Sequence, residues 1–351
     1  MDRLGPARAE GVRAAAREHS RRGTDQTEPI DIFSIIEQAR IWLMFQKMKS
    51  LYGAYVPSQD SPGILVNANH PSSVRRFTAA HEFGHFVCGH GPSVDAEDDI
   101  NGRTSSTERR SQEACAQSFA AHFLMPPQLV SATLRDMGFP FGSPSITPKD
   151  IYLLSLKLGS SYQATLNHLY SLGIIDRTRW LHARRLAPKR LKSHLAGGRT
   201  PANPWADVWP LSQSDSGAAI TPKVDDNLYL SLPEIPSTGY TWQIPDLDVS
   251  TQVDVDGNQR WLLLEEDSFE ANDVELPILA NLTYGAGGSR RLTLRVLRAG
   301  RYTLSLVRRR PWEDTPGSDA FVIEIKSSEL GTGRVEQGLS IRQQDRLAVA
   351  A

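Results

Sequence analysis

The chain is short of cysteine: its 351 residues hold two, Cys88 and Cys115, with no Cys-x-x-Cys pair between them. Neither a disulfide-stapled scaffold nor a thiolate zinc cluster is supported, and two reduced thiols are expected. Long apolar runs are also missing. Nothing in the sequence is long and apolar enough to span a bilayer, and the charged opening "MDRLGPARAEGVRAAAREHSRRGTDQTEP" lacks the apolar stretch of a secretory signal. A cytoplasmic location without a membrane partner is the expectation. An excess of one charge is absent too, since the formal net charge is -1, which argues against a general affinity for nucleic acid or acidic surfaces. With hydrophobic residues at 40% and charged residues at 23%, the composition is that of a folded globular protein, and the length favours two domains.

Residues 1–28 are rich in Arg, Ala and Glu with no evident apolar face, and read as a flexible, solvated arm. From Ile30 to Val56 apolar residues recur at helical spacing, after which "GILVNAN" reads as a short strand. A helix follows Pro71. A second helix covers "TSSTERRSQEACAQSFAAHFLMPP", opened by a capping box of Ser105 and Glu108 and stopped by Pro126 and Pro127. Residues 146–175 read as short helices separated at Gly159 and Gly173, a unit with the outline of a helix-turn-helix. The Pro-, Gly- and Ser-rich stretch after the basic run at 177–192 marks a domain boundary. Beyond it the period becomes two: Leu228, Leu230 and Leu232, then Leu292, Leu294 and Val296, then Tyr302, Leu304 and Leu306 across an Ala299-Gly300 turn, all signs of antiparallel strands.

The chemistry concentrates in "HEFGHFVCGH". His81 and His85 are four apart, so on a helix they are offset by about 40° and one turn, and both imidazoles can reach one ion. A cation held by neutral imidazoles polarises a bound water, and Glu82 stands beside it to take the proton. His90 is a tempting third ligand, but in the metzincin pattern H-E-x-x-H-x-x-G-x-x-H the last glycine and histidine would fall at Cys88 and Gly91, whereas Gly89 and His90 are each displaced by one. Cys88 reads as a small packed residue. Glu113 is the better third ligand, because in the second helix it shares a stripe with Ala116, Gln117, Ala120 and Leu124, where a lone buried carboxylate would be costly without a cation. His122 lies on the opposite side. Two His and one Glu leave a fourth position for water or substrate, the arrangement of a catalytic site for peptide hydrolysis.

"RRFTAAHEFGHFVCGH" followed by "EACAQSFAAHFLMP" resembles the ImmA/IrrE family of metallopeptidases, over residues 30 to about 175. Gln117 stands where that family usually has Asn, and Phe123 where it has Leu. The resemblance implies His81, His85 and Glu113 as ligands of Zn2+, with another divalent cation such as Mn2+ as the alternative, and Glu82 as the base. It also implies a helix-turn-helix repressor as protein substrate, in a stress-response or mobile-element setting.

Three loops of the β region stand out: "IPSTGYTW" with Pro236, Ser237, Thr238, Gly239 and Tyr240; "GAGGS" with Gly285, Gly287 and Gly288; and "RRPWED" with Arg310, Pro311 and Trp312. Glycines there permit tight turns and the tryptophans offer rigid anchors. In this order the loops resemble the chagasin family of cysteine-peptidase inhibitors over residues 215–327, with departures at Ile235 and Ser237. The resemblance implies an immunoglobulin-like sandwich that wedges three loops into a papain-like cleft; peptide sensing and autoinhibition of the zinc cleft are the other two readings.

The expected fold is therefore α+β and multidomain: a flexible arm at 1–28, a mainly helical HExxH metallopeptidase domain with a small sheet at 29–145, a helical unit at 146–185, a linker at 186–214, an antiparallel β-sandwich at 215–327 and a flexible tail at 328–351. The competing functional readings are a DNA-associated regulator, motivated by the helical unit and its basic run, and a cysteine-protease inhibitor whose metal domain is not catalytic.

Overall fold

The structure is a computed structural model that describes residues 4–96, 106–140, 145–199, 201–245, 261–271, 287–312, 319–327, 338–339 and 343. The chain divides into two compact units, Met1–Ala187 with Leu330–Ala351, and Pro188–Glu329. The fold class is α+β, as expected.

The first residues are not an arm. Gly5–Arg22 form a helix, α1, closed by Gly23 in the left-handed region at φ 59°. Its buried residues Gly11, Ala14, Ala15, Glu18 and His19 recur at three- and four-residue spacing, a stripe of three small and two polar residues that escapes an apolar-face search. This stripe packs on the helix Thr107–Leu124, so closely that a Cβ at Gly11 would overlap the Cys115 carbonyl oxygen. Of the helix expected from Ile30 to Val56 only Ile32–Gln38 (α2) is helical; Arg40, with φ 60°, turns the chain, and Trp42–Gln46 (β1) and Leu51–Val56 (β2) are strands. In β1 buried Leu43 and Phe45 alternate with less buried neighbours, while in β2 Gly53, Ala54 and Tyr55 are buried in succession, and such short apolar runs are confused with helix.

Gly63–Asn67 (β3) lies parallel to β1 and antiparallel to β2, and Ser93–Ala96 (β4) adds an edge to β2. The opposite edge is filled by Gly338–Leu339 pairing with β1, while Gln343 bonds Leu43 N and Ile41 O through its side-chain amide. These tail residues, expected to be flexible, are thus built into the sheet. Ser72–Val87 (α3) packs on β2 and β3, and Thr107–Leu124 (α4) packs on α3. Ser106 caps α4 by accepting from Arg109 N at 3.2 Å; Ser105, the expected cap, lies outside the described residues. Helices Pro127–Asp136 (α5), Pro148–Leu158 (α6), Tyr162–Ser171 (α7) and Arg177–Arg184 (α8) complete the unit. They belong to the same compact body: His168 on α7 bonds the Met125 carbonyl at 2.8 Å, and Arg76 on α3 donates to the Leu158 carbonyl at 3.3 Å.

The second unit opens with Pro188–Leu195 (α9) and Val208–Ser212 (β5), both inside the stretch expected as linker. Val208, Trp209 and Leu211 are buried, and β5 pairs in parallel with Asn227–Glu234 (β7), after the short Ala219–Ile220 (β6). Two four-stranded sheets follow from Thr241–Gln243 (β8), Leu262–Ala271 (β9), Gly288–Val296 (β10), Gly300–Arg309 (β11) and Asp319–Ser327 (β12), in orders β5-β7-β10-β9 and β6-β12-β11-β8. The inward stripes Leu228, Leu230, Leu232, Leu292, Leu294, Val296, Leu304, Leu306, Phe321, Ile323 and Ile325 are all buried. The Ala299-Gly300 turn does not join neighbours: β10 and β11 sit in different sheets, and Gly300 at φ 143° makes the crossing next to Trp261.

Candidate active site

Pro71 precedes α3 because a proline cannot follow a helical turn but suits its entrance, and the helix then runs through His81 and His85 to Cys88. Gly84, inside the HEFGH stretch, lets α4 come close: a Cβ there would stand 2.9 Å from Phe119 Cδ1. The two helices thereby bring Glu113 to the histidines.

His81 Nε2 lies 3.0 Å from Glu113 Oε2 and 3.2 Å from His85 Nε2, and His85 Nε2 lies 3.7 Å from the same carboxylate oxygen. A tetrahedral ion with ligands at about 2.0–2.1 Å would hold donors about 3.3 Å apart, so the spacing and the donor set fit a divalent cation. Burial resists ionisation of Glu113, yet the bonds from His81 and His85 outweigh it and hold the carboxyl well below the usual range. His85, 1% exposed, is pushed down by burial and stays a neutral imidazole. Three converging donors of this kind suit Zn2+ and similar ions.

Glu82 is fully buried and accepts a 2.6 Å hydrogen bond from Ser93 Oγ on the edge strand β4. Its other oxygen, Oε1, faces Gly53 on β2, where a Cβ would come within 3.2 Å. A cleft of about 360 Å3 opens beside these groups, lined by His85, Ser93, Arg109, Gln112 and Glu113 among others. Ser93 therefore both lines the cleft and bonds Glu82.

His90, expected only as a polar residue at the helix end, instead places Nδ1 3.0 Å from Nδ1 of His85. For His85 to offer Nε2 to a cation its Nδ1 must carry the proton, so His90 accepts it and fixes the ring. Gly89, at φ 68°, turns the chain so that His90 N can bond the His85 carbonyl. Cys88 and Cys115 meet at 3.3 Å; their mutual bond lowers Cys115 and raises Cys88, so that Cys88 keeps the proton. Gln117 is exposed and takes no part in the buried stripe of Ala116, Ala120 and Leu124. His122 faces away and stacks edge-on against His168. Ser93, Gly53 and Gly84 carried no signal in the sequence, because only the neighbours folded onto them give them a role.

In the second unit, Pro236–Thr238 form a single 3-10 turn and Gly239, at φ 77°, packs against Trp312; a Cβ there would stand 2.7 Å from Cη2 of that ring. Arg310 Nε donates to the Thr238 carbonyl at 3.1 Å and its guanidinium lies over the Tyr240 ring. Gly288 pairs with Glu234, one residue before Ile235, so the second loop leaves from the same end. The described members of all three loops are thus gathered, with Trp312 72% exposed; Gly285 lies outside the described residues. Buried Trp242 anchors that end, donating from Nε1 to the Pro233 carbonyl.

Residues 36–138 match the family model of the IrrE N-terminal-like domain of M78 peptidases, and residues 221–325 match that of the chagasin family peptidase inhibitors I42. A metallopeptidase-family domain therefore precedes a domain of the chagasin inhibitor family. No curated protein matches the chain. Among solved structures it is similar to the cysteine protease inhibitor EhICP2 from Entamoeba histolytica, at 22% identity over 34% of this chain and 95% of that one, with a TM-score of 0.27. Amebosin is similar at 20% identity over 33% and 94%, TM-score 0.26. PbICP-C, solved in complex with falcipain-2, is similar at 14% identity over 35% and 90%, TM-score 0.21.

Proposed function

We propose that the first unit is a zinc-dependent endopeptidase of regulatory type, with His81, His85 and Glu113 as metal ligands and Glu82 as general base. The observation that carries this reading is the convergence of two imidazoles and one carboxylate at 3.0–3.7 Å beside a cleft, within a region that matches the IrrE-like family. Bound there, a divalent cation would supply Lewis-acid polarisation of the scissile carbonyl and a more acidic water. The residues of the chain do the rest. Glu82 takes the proton of the attacking water and passes it to the leaving amine. Ser93 holds the carboxylate in place by its 2.6 Å bond. His90 keeps the His85 ring oriented. The substrate class is a helix-turn-helix transcriptional repressor in the cytoplasm, cut in a stress-response or mobile-element setting.

The second unit serves as a protease-inhibitor-like module that offers Trp312 and the turn at Pro236–Thr238 to a papain-like cysteine peptidase. The exposure of Trp312 at the end where the loops gather supports this. Peptide sensing is the second reading, favoured by Ile235, 45% exposed, where the inhibitor family carries Asn.

The decisive experiment compares wild type with Glu82→Gln against the helix-turn-helix repressor encoded beside this gene, with zinc content measured on both. The variant should bind zinc as wild type does and lose at least about 100-fold in cleavage, the low end of what a general base contributes. Cleavage at the wild-type rate would remove Glu82 from the mechanism.

A further inference from the structure

The fold assembles a second cluster of donors outside the proposed active site. Cys88 ends α3, Gly89 reverses the chain, and His90 is thereby returned toward Cys115 on α4. One donor atom from each of Cys88, His90 and Cys115 lies within 4.8 Å of the others. Sequence spacing gave no hint of this, because the two cysteines are 27 residues apart and belong to different helices.

We propose that Cys88, Cys115 and His90 form a second metal site, for a thiophilic d10 cation such as Zn2+ or Cd2+. Two thiols and an imidazole are a soft donor set, distinct from the two imidazoles and carboxylate next door. The geometry favours an ion over a disulfide. The sulfurs are 3.3 Å apart. A tetrahedral ion with sulfurs at about 2.3 Å holds them about 3.8 Å apart, an opening of roughly half an ångström. A disulfide demands about 2.05 Å, a closure of more than an ångström between two packed helices. The backbone is held where it is by α1, whose Gly11 abuts the Cys115 carbonyl. Cys88 and His90 are half-exposed, which gives an ion an entry and leaves a fourth position for water.

The two sites share His90. Its Nδ1 is engaged with His85, so an ion that recruits that nitrogen removes the support of the His85 ring. Filling the thiolate site through that nitrogen weakens metal binding at the first, by about 10–100-fold as for loss of any such supporting partner. This coupling, unlike the site itself, rests on the reading of His85 as a ligand.

The test is Co2+ titration of the full-length reduced protein. Wild type should take two equivalents and develop thiolate-to-cobalt charge-transfer absorption. His81→Ala/Glu113→Gln should keep that absorption and bind one equivalent, which separates the new site from the proposed active site. Cys88→Ser/Cys115→Ser should lose the absorption and keep one equivalent. In wild type, where no variant can misfold, Cd2+ should slow alkylation of Cys88 by iodoacetamide. Absence of the charge-transfer absorption in wild type, or its persistence in the double serine variant, would overturn the site. So would unchanged alkylation of Cys88 in the presence of Cd2+.

Discussion

Ser93 Oγ donates a 2.6 Å hydrogen bond to Glu82 Oε2, tying the carboxylate in the middle of α3 to the edge strand of the sheet. Both side chains are buried, so the bond supplies Glu82 with a partner that water does not. If Glu82 is the base of a zinc peptidase, Ser93→Ala should lower kcat/KM by about 10-fold or more with zinc content unchanged. Cleavage kinetics on the proposed repressor substrate, with zinc measured on both proteins, check this. A variant with the wild-type kcat/KM would show that the bond only packs the strand.

Gly11 tests whether α1 belongs to the folded unit. In an exposed helix Gly→Ala would stabilise by about 1 kcal/mol. Here the added methyl meets the Cys115 carbonyl oxygen and Phe119 N. Gly11→Ala should therefore destabilise by about 1–3 kcal/mol in urea denaturation. A gain in stability would return residues 5–22 to the status of a loose arm.

His168 is 2% exposed, and burial, with His122 close by, pushes it from 6.5 down to about 4. The folded state accepts only the neutral ring, so the unfolded chain binds this proton first as pH falls. Stability supplied by neutral His168 is complete above pH 6.5 and drains away between there and about 4, to a total of about 3 kcal/mol. Denaturant midpoints measured across that window should fall steeply in wild type and more gently in His168→Gln. Parallel slopes would assign the loss to other groups.

Trp312 is 72% exposed and packs on Gly239, so its removal should leave the second unit folded. Large aromatic anchors of this kind are worth about 2 kcal/mol or more in an interface. If the unit inhibits papain-like peptidases, Trp312→Ala should raise the inhibition constant against papain by at least about 30-fold. Lack of inhibition by wild type would favour peptide sensing.

Local pattern determined much of this protein. The four-residue spacing of His81 and His85 needs only a helix to put both rings on one side, and the small residues following Glu113 foretold close approach of a second helix. Alternation at Leu228, Leu292 and Leu304 marked strands because the period of two survives any sheet arrangement. What the sequence left undecided depends on neighbours distant along the chain. The buried stripe of α1 acquires meaning only against Cys115, and β1 and β2 hide in an apolar run until the sheet pairs them. The Leu294 and Leu304 strands part into separate sheets for reasons no local period encodes. His90 is out of register as a third ligand by sequence, yet tertiary structure sets it 3.0 Å from His85 and beside two thiols. Spacing fixes which side chains share a face, but what that face meets is set by long-range packing, and that decided the partners of Glu82, His85 and Cys115.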